Sequence, residues 1–452
     1  MIKVFIRTVM LKKRILFVLA FFLPAIVHAQ VLYSLSDCIR FATIENAQLR
    51  QTQVLADMAD AARRSSENTF IPSLSFTNQY NLSFGRSLDP TTYLFVTNRT
   101  VQDINTGLVA SMTLFSGFER AHSIRKARLN LQSALLETEK TRNDLALNIT
   151  ALFLNIVLEK EVLAMCKRKI ALLQEQETLI RKKVEYNVAT QGDLLSIQAD
   201  IMTARVDLAT AKSHLNLSKV SLCELLGIHD WESFDISVSD QKFEAPVPCL
   251  WSQEKVLSIV SRLPQMRQAE LAVKMAKRDV DIASSAFYPT LRLNVGYGSS
   301  YSNVRTRSDG EEYSFPDQLR DNMASYVTLS LSVPILSAVS VSNSVKQKKL
   351  AYTYAELAKS KDCLALEKDI RQAIIRVNTA YEKYFLLEAN INKSKEALRQ
   401  TEEKYAAGMA TYYDYQMAVE GLFQASTQQI QAKYEYLFRT KILDFYDGGK
   451  FW

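Results

Sequence analysis

Asp193 and Asp414 are the acids in this chain of 452 residues best placed to hold a fixed charge at a working position. Each closes a short turn sequence, Tyr186-Asn187-Val188-Ala189-Thr190-Gln191-Gly192-Asp193 in one place and Tyr405-Ala406-Ala407-Gly408-Met409-Ala410-Thr411-Tyr412-Tyr413-Asp414 in another. An acid there can cap the helix that follows, a contribution of about 1 kcal/mol. Repeated around a symmetry axis, it would also form a charged ring attractive to cations. Gly408 can turn a chain out of a helix through positive φ, and Asn187 is the next-best residue for that task. Covalent chemistry finds no comparable setting. Cys38, Cys166, Cys223, Cys249 and Cys363 are scattered without a C-x-x-C pair, and four of them lie in helical patterns, where cysteine packs as a small hydrophobe. His122, His214 and His229 have no second histidine or carboxylate at metal-ligand spacing. There is no G-x-S-x-G, Walker loop or H-E-x-x-H. The chain therefore reads as a non-enzyme with no cofactor and no metal.

Low Gly and Pro counts (12 and 9) imply mostly regular, mainly helical structure. A mean hydropathy of −0.08 with 23% charged residues argues against a bundle of membrane helices. At the N-terminus, Lys12, Lys13 and Arg14 precede an apolar run from Ile15 to Val27, and Val27-His28-Ala29 resembles a cleavage site. Residues 1–29 are expected to be a signal peptide cut before Gln30. Losing Lys3, Arg7, Lys12, Lys13 and Arg14 would lower the net charge from +7 to +2. The basic balance thus belongs to the leader and predicts no nucleic-acid partner.

The rest is a tandem repeat. Gln48-Leu49-Arg50-Gln51 matches Gln265-Met266-Arg267-Gln268, Phe70-Ile71-Pro72-Ser73-Leu74 matches Phe287-Tyr288-Pro289-Thr290-Leu291, and Leu114-Phe115-Ser116 matches Ile335-Leu336-Ser337. Each half should run helix, strand, strand, long helix, returning helix. The first helices are expected over Leu35–Thr69 and Gln253–Ala286, the long ones over Glu119–Tyr186 and Ser340–Ala407, and the returning ones over Asp193–Leu226 and Asp414–Phe445. A heptad stripe through Leu145, Ile149, Ile156, Cys166, Leu173 and Ile180, and another through Ile370, Val377, Ala380 and Tyr384, predict coiled-coil packing.

The strands alternate apolar and polar residues. Leu74, Phe76, Tyr80 and Leu82 share one side, as do Leu108 and Met112, Leu291, Leu293 and Val295, and Val327, Leu329 and Leu331. That pattern fits a membrane barrel wall. Open strand edges do not persist in lipid, so four strands would need completion by other chains. The alternative is a soluble sheet packed on helices. Between the halves, residues 228–252 read as a linker, leaving repeats at 30–227 and 253–452.

Together these features resemble the TolC-like outer-membrane efflux protein family, over essentially the whole mature chain. The resemblance implies a mainly α fold with membrane β: a helix–strand–strand–helix unit repeated in tandem, forming a shared trimeric 12-stranded β-barrel and a long α-helical coiled-coil tunnel. It implies a homotrimer in outer-membrane lipid that docks a periplasmic adaptor and an inner-membrane pump, as the passive exit duct of an efflux or secretion system. Residues 228–252 and the C-terminal segment would form a belt around the tunnel. A periplasmic coiled-coil adaptor is the competing reading. In the family, a tyrosine, an arginine and acids near the turn hold the entrance closed. Tyr405, Asp193 and Asp414 match those positions, whereas Ala410 and Met417 replace the arginine and a second acid. The gate is therefore expected to be looser or held by packing through Tyr412 and Tyr413.

Overall fold

The computed structural model describes residues 32–88, 93, 95–96, 100–237, 246–307, 310–335 and 338–448. The expected signal peptide, part of the linker, the joint at Leu336-Ser337 and the last four residues lie outside them. In chain order the elements are β1 (Leu32–Tyr33), α1 (Leu35–Glu45), α2 (Ala47–Asn68), β2 (Ser73–Ser83), β3 (Ser87–Leu88), β4 (Phe95–Val96) and β5 (Val101–Ser116). Next come α3 (Glu119–Glu185), α4 (Gln191–Leu226), β6 (Asp235–Ile236), α5 (Gln253–Arg262) and α6 (Pro264–Ser285). The chain ends with β7 (Thr290–Ser302), α7 (Phe315–Asp321), β8 (Ala324–Ser332), α8 (Ala338–Ala406) and α9 (Tyr412–Tyr446).

The repeated unit is present in both halves, with two corrections. The first helix of each half is broken in two. Asn46 interrupts one: its side chain accepts from Leu49 N–H at 3.1 Å and donates to the Leu225 carbonyl at 3.0 Å, so it caps α2 while pinning it to the end of α4. Pro264 interrupts the other, standing at the first turn of α6, where its missing N–H costs nothing. The loops between paired strands also hold more structure than expected, namely β3, β4 and α7.

Helix α3 has 67 residues and α8 has 69, each about 100 Å long at 1.5 Å per residue. The shorter helices stack along them. Thr138 of α3 donates to the Thr52 carbonyl of α2, and farther down Asn155 donates to Ser218 of α4. The two repeats meet where Lys126 of α3 pairs with Asp279 of α6 at 2.6 Å. The heptad residues Ile149, Ile156, Leu173, Ile180, Ile370 and Val377 are buried, as the periodicity requires. Midway along α3 the buried surface widens beyond a seam. Ala146, Phe153, Leu154 and Val157 join Cys38 and Ile39 of α1, Leu222 of α4, and Ile236 of β6 in one core. β6 pairs in parallel with β1, and the linker binds there through Lys160 and Lys219, both on Asp235 at 2.6 and 3.1 Å. Past the undescribed stretch, Cys249 exchanges backbone hydrogen bonds with the Asn378 side chain on α8. The described ends of the linker thus rest on the two long helices, Asp235 on α3 and Cys249 on α8.

The sheet has the order β2-β5-β7-β8, antiparallel throughout, so β2 and β8 are edges unpaired among the described residues. A bulge between Thr113 and Phe115 puts Phe115, not Leu114, opposite Leu291.

Candidate functional site

Two places stand out: the apolar face of the sheet, and the helix turns at the opposite end. On the sheet, register fixes which residues share a side. Leu74 lies opposite Ala110, Ala110 opposite Val295, and Val295 opposite Val327. The row beside it is Phe76, Leu108 and Tyr297, and the next is Met112, Leu293 and Leu329. Tyr80 and Leu82 continue this side along β2, and Leu291 and Leu331 along β7 and β8. All twelve residues expected to face outward therefore form one surface. Leu74 is 71% and Val327 72% exposed, and among the described residues no helix covers either. The opposite side carries Ser73, Ser75, Thr77 and Gln79 on β2, and Thr328 and Ser330 on β8. Such a sheet can separate an apolar solvent from an aqueous one.

At the far end, α3 and α8 stop in the same way. Asn187 has φ 60° and Gly408 φ 71°, the positions expected to turn left-handed. Val188 N–H donates to the Lys183 carbonyl at 2.7 Å, and Met409 N–H to the Lys404 carbonyl at 2.8 Å, the closing bond of a Schellman cap. A Cβ at Gly408 would meet nothing within 4 Å, so any penalty there comes from the backbone alone. Gly408→Ala is expected to destabilise the turn by about 1 kcal/mol, while Asn187→Gly is tolerated. Limited proteolysis at the turn reads this, through faster nicking of the first variant only.

The returning helices begin two residues earlier than expected. Thr190 and Thr411 are their N-caps, and Asp193 and Asp414 are third residues, not caps. The physical reason is reciprocity: each threonine hydroxyl accepts from the aspartate N–H at 3.2 Å, and each carboxylate accepts from the threonine N–H at 2.9 Å. The Thr411 side chain and backbone hold the Asp414 carboxyl below the usual aspartate range, so it stays charged at neutral pH. The cap and the exposed charge are therefore compatible.

The two turns are joined by tyrosines. Tyr405 stacks on Tyr415 with ring centroids 5.5 Å apart and meets the edge of Tyr412 at 6.5 Å. Lys183 of α3 lies 4.4 Å over the Tyr405 ring. The Tyr412 hydroxyl donates to Asp200 of α4 at 3.0 Å. Burial, then Asp200, raises the Tyr412 hydroxyl pKa, and burial pushes Tyr415 up to about 12, so both stay protonated and Tyr412 remains a donor to Asp200. Tyr412 thus enters the packing, but Tyr413 does not: it is 70% exposed. Met409 and Met417 are exposed beside it. Sequence reading missed Tyr415, Asp200 and Lys183. The three-residue step from Tyr412 to Tyr415, which puts both on one helix face, was the available signal.

Comparisons with known proteins agree on one group. A family model described as outer membrane efflux protein matches residues 39–228 and again 258–449. The outer membrane protein TolC of Vibrio cholerae is 21% identical over 413 residues, covering 89% of this chain and 88% of that protein. The alkaline protease secretion protein AprF of Pseudomonas aeruginosa is 22% identical over 352 residues, covering 75% of this chain and 69% of that one. Among solved structures, the outer membrane protein VceC of Vibrio cholerae aligns with a TM-score of 0.76 at 15% identity, covering 92% of this chain and 97% of that chain.

Proposed function

Because this chain belongs to the outer membrane efflux protein family, we propose that it is one third of a homotrimeric exit duct, which conducts cargo passively from an inner-membrane pump and a periplasmic adaptor to the cell exterior. Members of the family are outer-membrane channels, not enzymes. One observation carries the finer reading: a sheet with a continuous apolar face and two free edges runs directly into helices about 100 Å long. The strands alternate in direction from β2 to β8, so copies placed edge to edge continue the antiparallel pattern, and three copies would make twelve strands. A closed barrel removes the edges that lipid cannot satisfy. An adaptor would have no use for the apolar face.

In this reading residues 1–29 are a signal peptide, 30–227 and 253–452 are the two repeats, and 228–252 is the belt between them. The turns at Asn187 and Gly408 form the periplasmic entrance, with Asp193 and Asp414 repeated around the axis. Light scattering of the detergent-extracted protein should give a mass near three chains, and imaging should give a threefold tube. A soluble monomer needing no detergent would sink the proposal. At the entrance, Asp414→Ala should weaken cation preference and block by multivalent cations in planar-bilayer recordings. Unchanged block would remove the charged ring from the account.

A further inference from the structure

Among the described residues, the four strands of the sheet hold two charged side chains, Asp103 and Arg292, and both lie on its polar side. Arg292 stands near the helix end of β7, opposite Thr113 on β5 and Ser330 on β8. Asp103 lies ten residues from Thr113 along β5, about 33 Å nearer the loops. Arg292 is exposed, and its guanidinium makes no ion pair or hydrogen bond with any described residue. Glu119, which opens α3 three residues past the end of β5, is not paired with it either.

A guanidinium is always charged, and its planar fork of N–H donors matches the oxygens of carboxylates, sulfonates and phosphates. Closing the sheet into a barrel would not give Arg292 an acid. β8 would meet β2 of the next copy, and β2 carries no charge. Twelve strands about 4.8 Å apart and tilted about 40° close into a ring roughly 24 Å across, so an extended arginine would end about 6 Å from the axis. That is shorter than the Debye length of about 10 Å at 0.1 M salt, so the charge is felt across the lumen. Three such charges should enrich anions there about three- to tenfold. Asp103, about three Debye lengths away, does not cancel them.

We infer that Arg292, repeated in three copies, forms an anion-binding ring at the base of the barrel, which takes organic carboxylates, sulfonates or phosphates in transit. The inference rests on the exit-duct reading, because one copy supplies only one of the three charges. It gives the duct two fixed charges of opposite sign: acids at the entrance turns and, at the far end of the long helices, a basic ring where cargo enters the barrel.

Fluorescence anisotropy of pyrenetetrasulfonate, titrated with the whole protein in non-ionic detergent, reads the site directly. The probe can enter from the loop side, so the entrance need not be open. One probe should bind per three chains. Arg292→Gln should weaken binding by about tenfold or more. Arg292→Lys keeps the charge and should stay within about threefold of the unaltered protein. Asp103→Asn should leave binding unchanged. Ser330→Asp sets a carboxylate directly opposite Arg292, and should weaken binding as Arg292→Gln does while the arginine itself remains. Semi-native gels check that each variant still assembles. Binding that survives both Arg292→Gln and Ser330→Asp, or that is absent from the unaltered protein, overturns the ring. If the unaltered protein has the mass of three chains and binds no probe, the ring falls and the duct stands. If it has the mass of one chain, both fall.

Discussion

Arginine in place of Leu329 is expected to remove most of the assembled protein from the membrane. Leu329 sits near the middle of β8, in one row with Leu293 and Met112, and is exposed. An arginine on the lipid side near the bilayer midplane costs about 2–4 kcal/mol. In the proposed trimer that cost is incurred in every copy, against a total stability on the order of 10 kcal/mol for a typical fold. Thr328→Arg is the control. It lies one residue away on the opposite side, where water would receive the charge. Heat-resistant oligomer on semi-native gels of outer-membrane fractions should vanish for the first variant and persist for the second. Equal loss of both would mean that the side of the sheet does not matter, and the lipid assignment would fall.

Phe153→Ala should cause the largest loss of stability among single core truncations. Phe153 is 1% exposed and lies where α1, α4 and β6 converge on α3. Removing a buried phenylalanine ring costs about 3–5 kcal/mol, because the cavity closes only in part. The site has little freedom to collapse: Lys160 and Lys219 fix β6 from outside, and Asn46 fixes the start of α2 against α4. Leu179→Ala, on the same helix but 47% exposed, should stay within about 1 kcal/mol. Denaturant midpoints of the two variants give the comparison. A Phe153→Ala midpoint as mild as that of Leu179→Ala would show that this core does not anchor the linker.

What could be read from the sequence follows the range of the forces involved. The faces of the strands were legible because a period of two is local, and Pro72 and Pro289 mark where helices yield to strands. Gly408 and Asn187 were legible because left-handed backbone is nearly reserved for such residues. The break at Asn46 was not, because its amide is held in part by the carbonyl of Leu225, far along the chain. Pro264 was a local signal, but apolar residues of the same phase on both sides hid it. α7 was missed because Gln318 is held by the backbone N–H and carbonyl of Ser302, a contact made only after folding. Lys169 drew no notice, because it stands next to the heptad stripe and not in it. Only the second hairpin, packed alongside, turns it into a buried cation with two carboxylates, Asp207 and Glu420, in reach. The capping boxes lie between these cases: Asp193 was read as a cap by itself, whereas Thr190, which stood in the same turn without a role, is the N-cap that it answers.

The free edges of β2 and β8 bear on inheritance as well as on assembly. A ring that closes only when every edge finds a sound neighbour has no tolerance for one bad member. If, in the proposed trimer, a β8 variant were made alongside an equal amount of normal chain and the two mixed at random, only about one assembly in eight would contain three normal copies. A damaged allele should therefore behave as dominant over a healthy one, whereas an allele that makes no protein at all should behave as recessive.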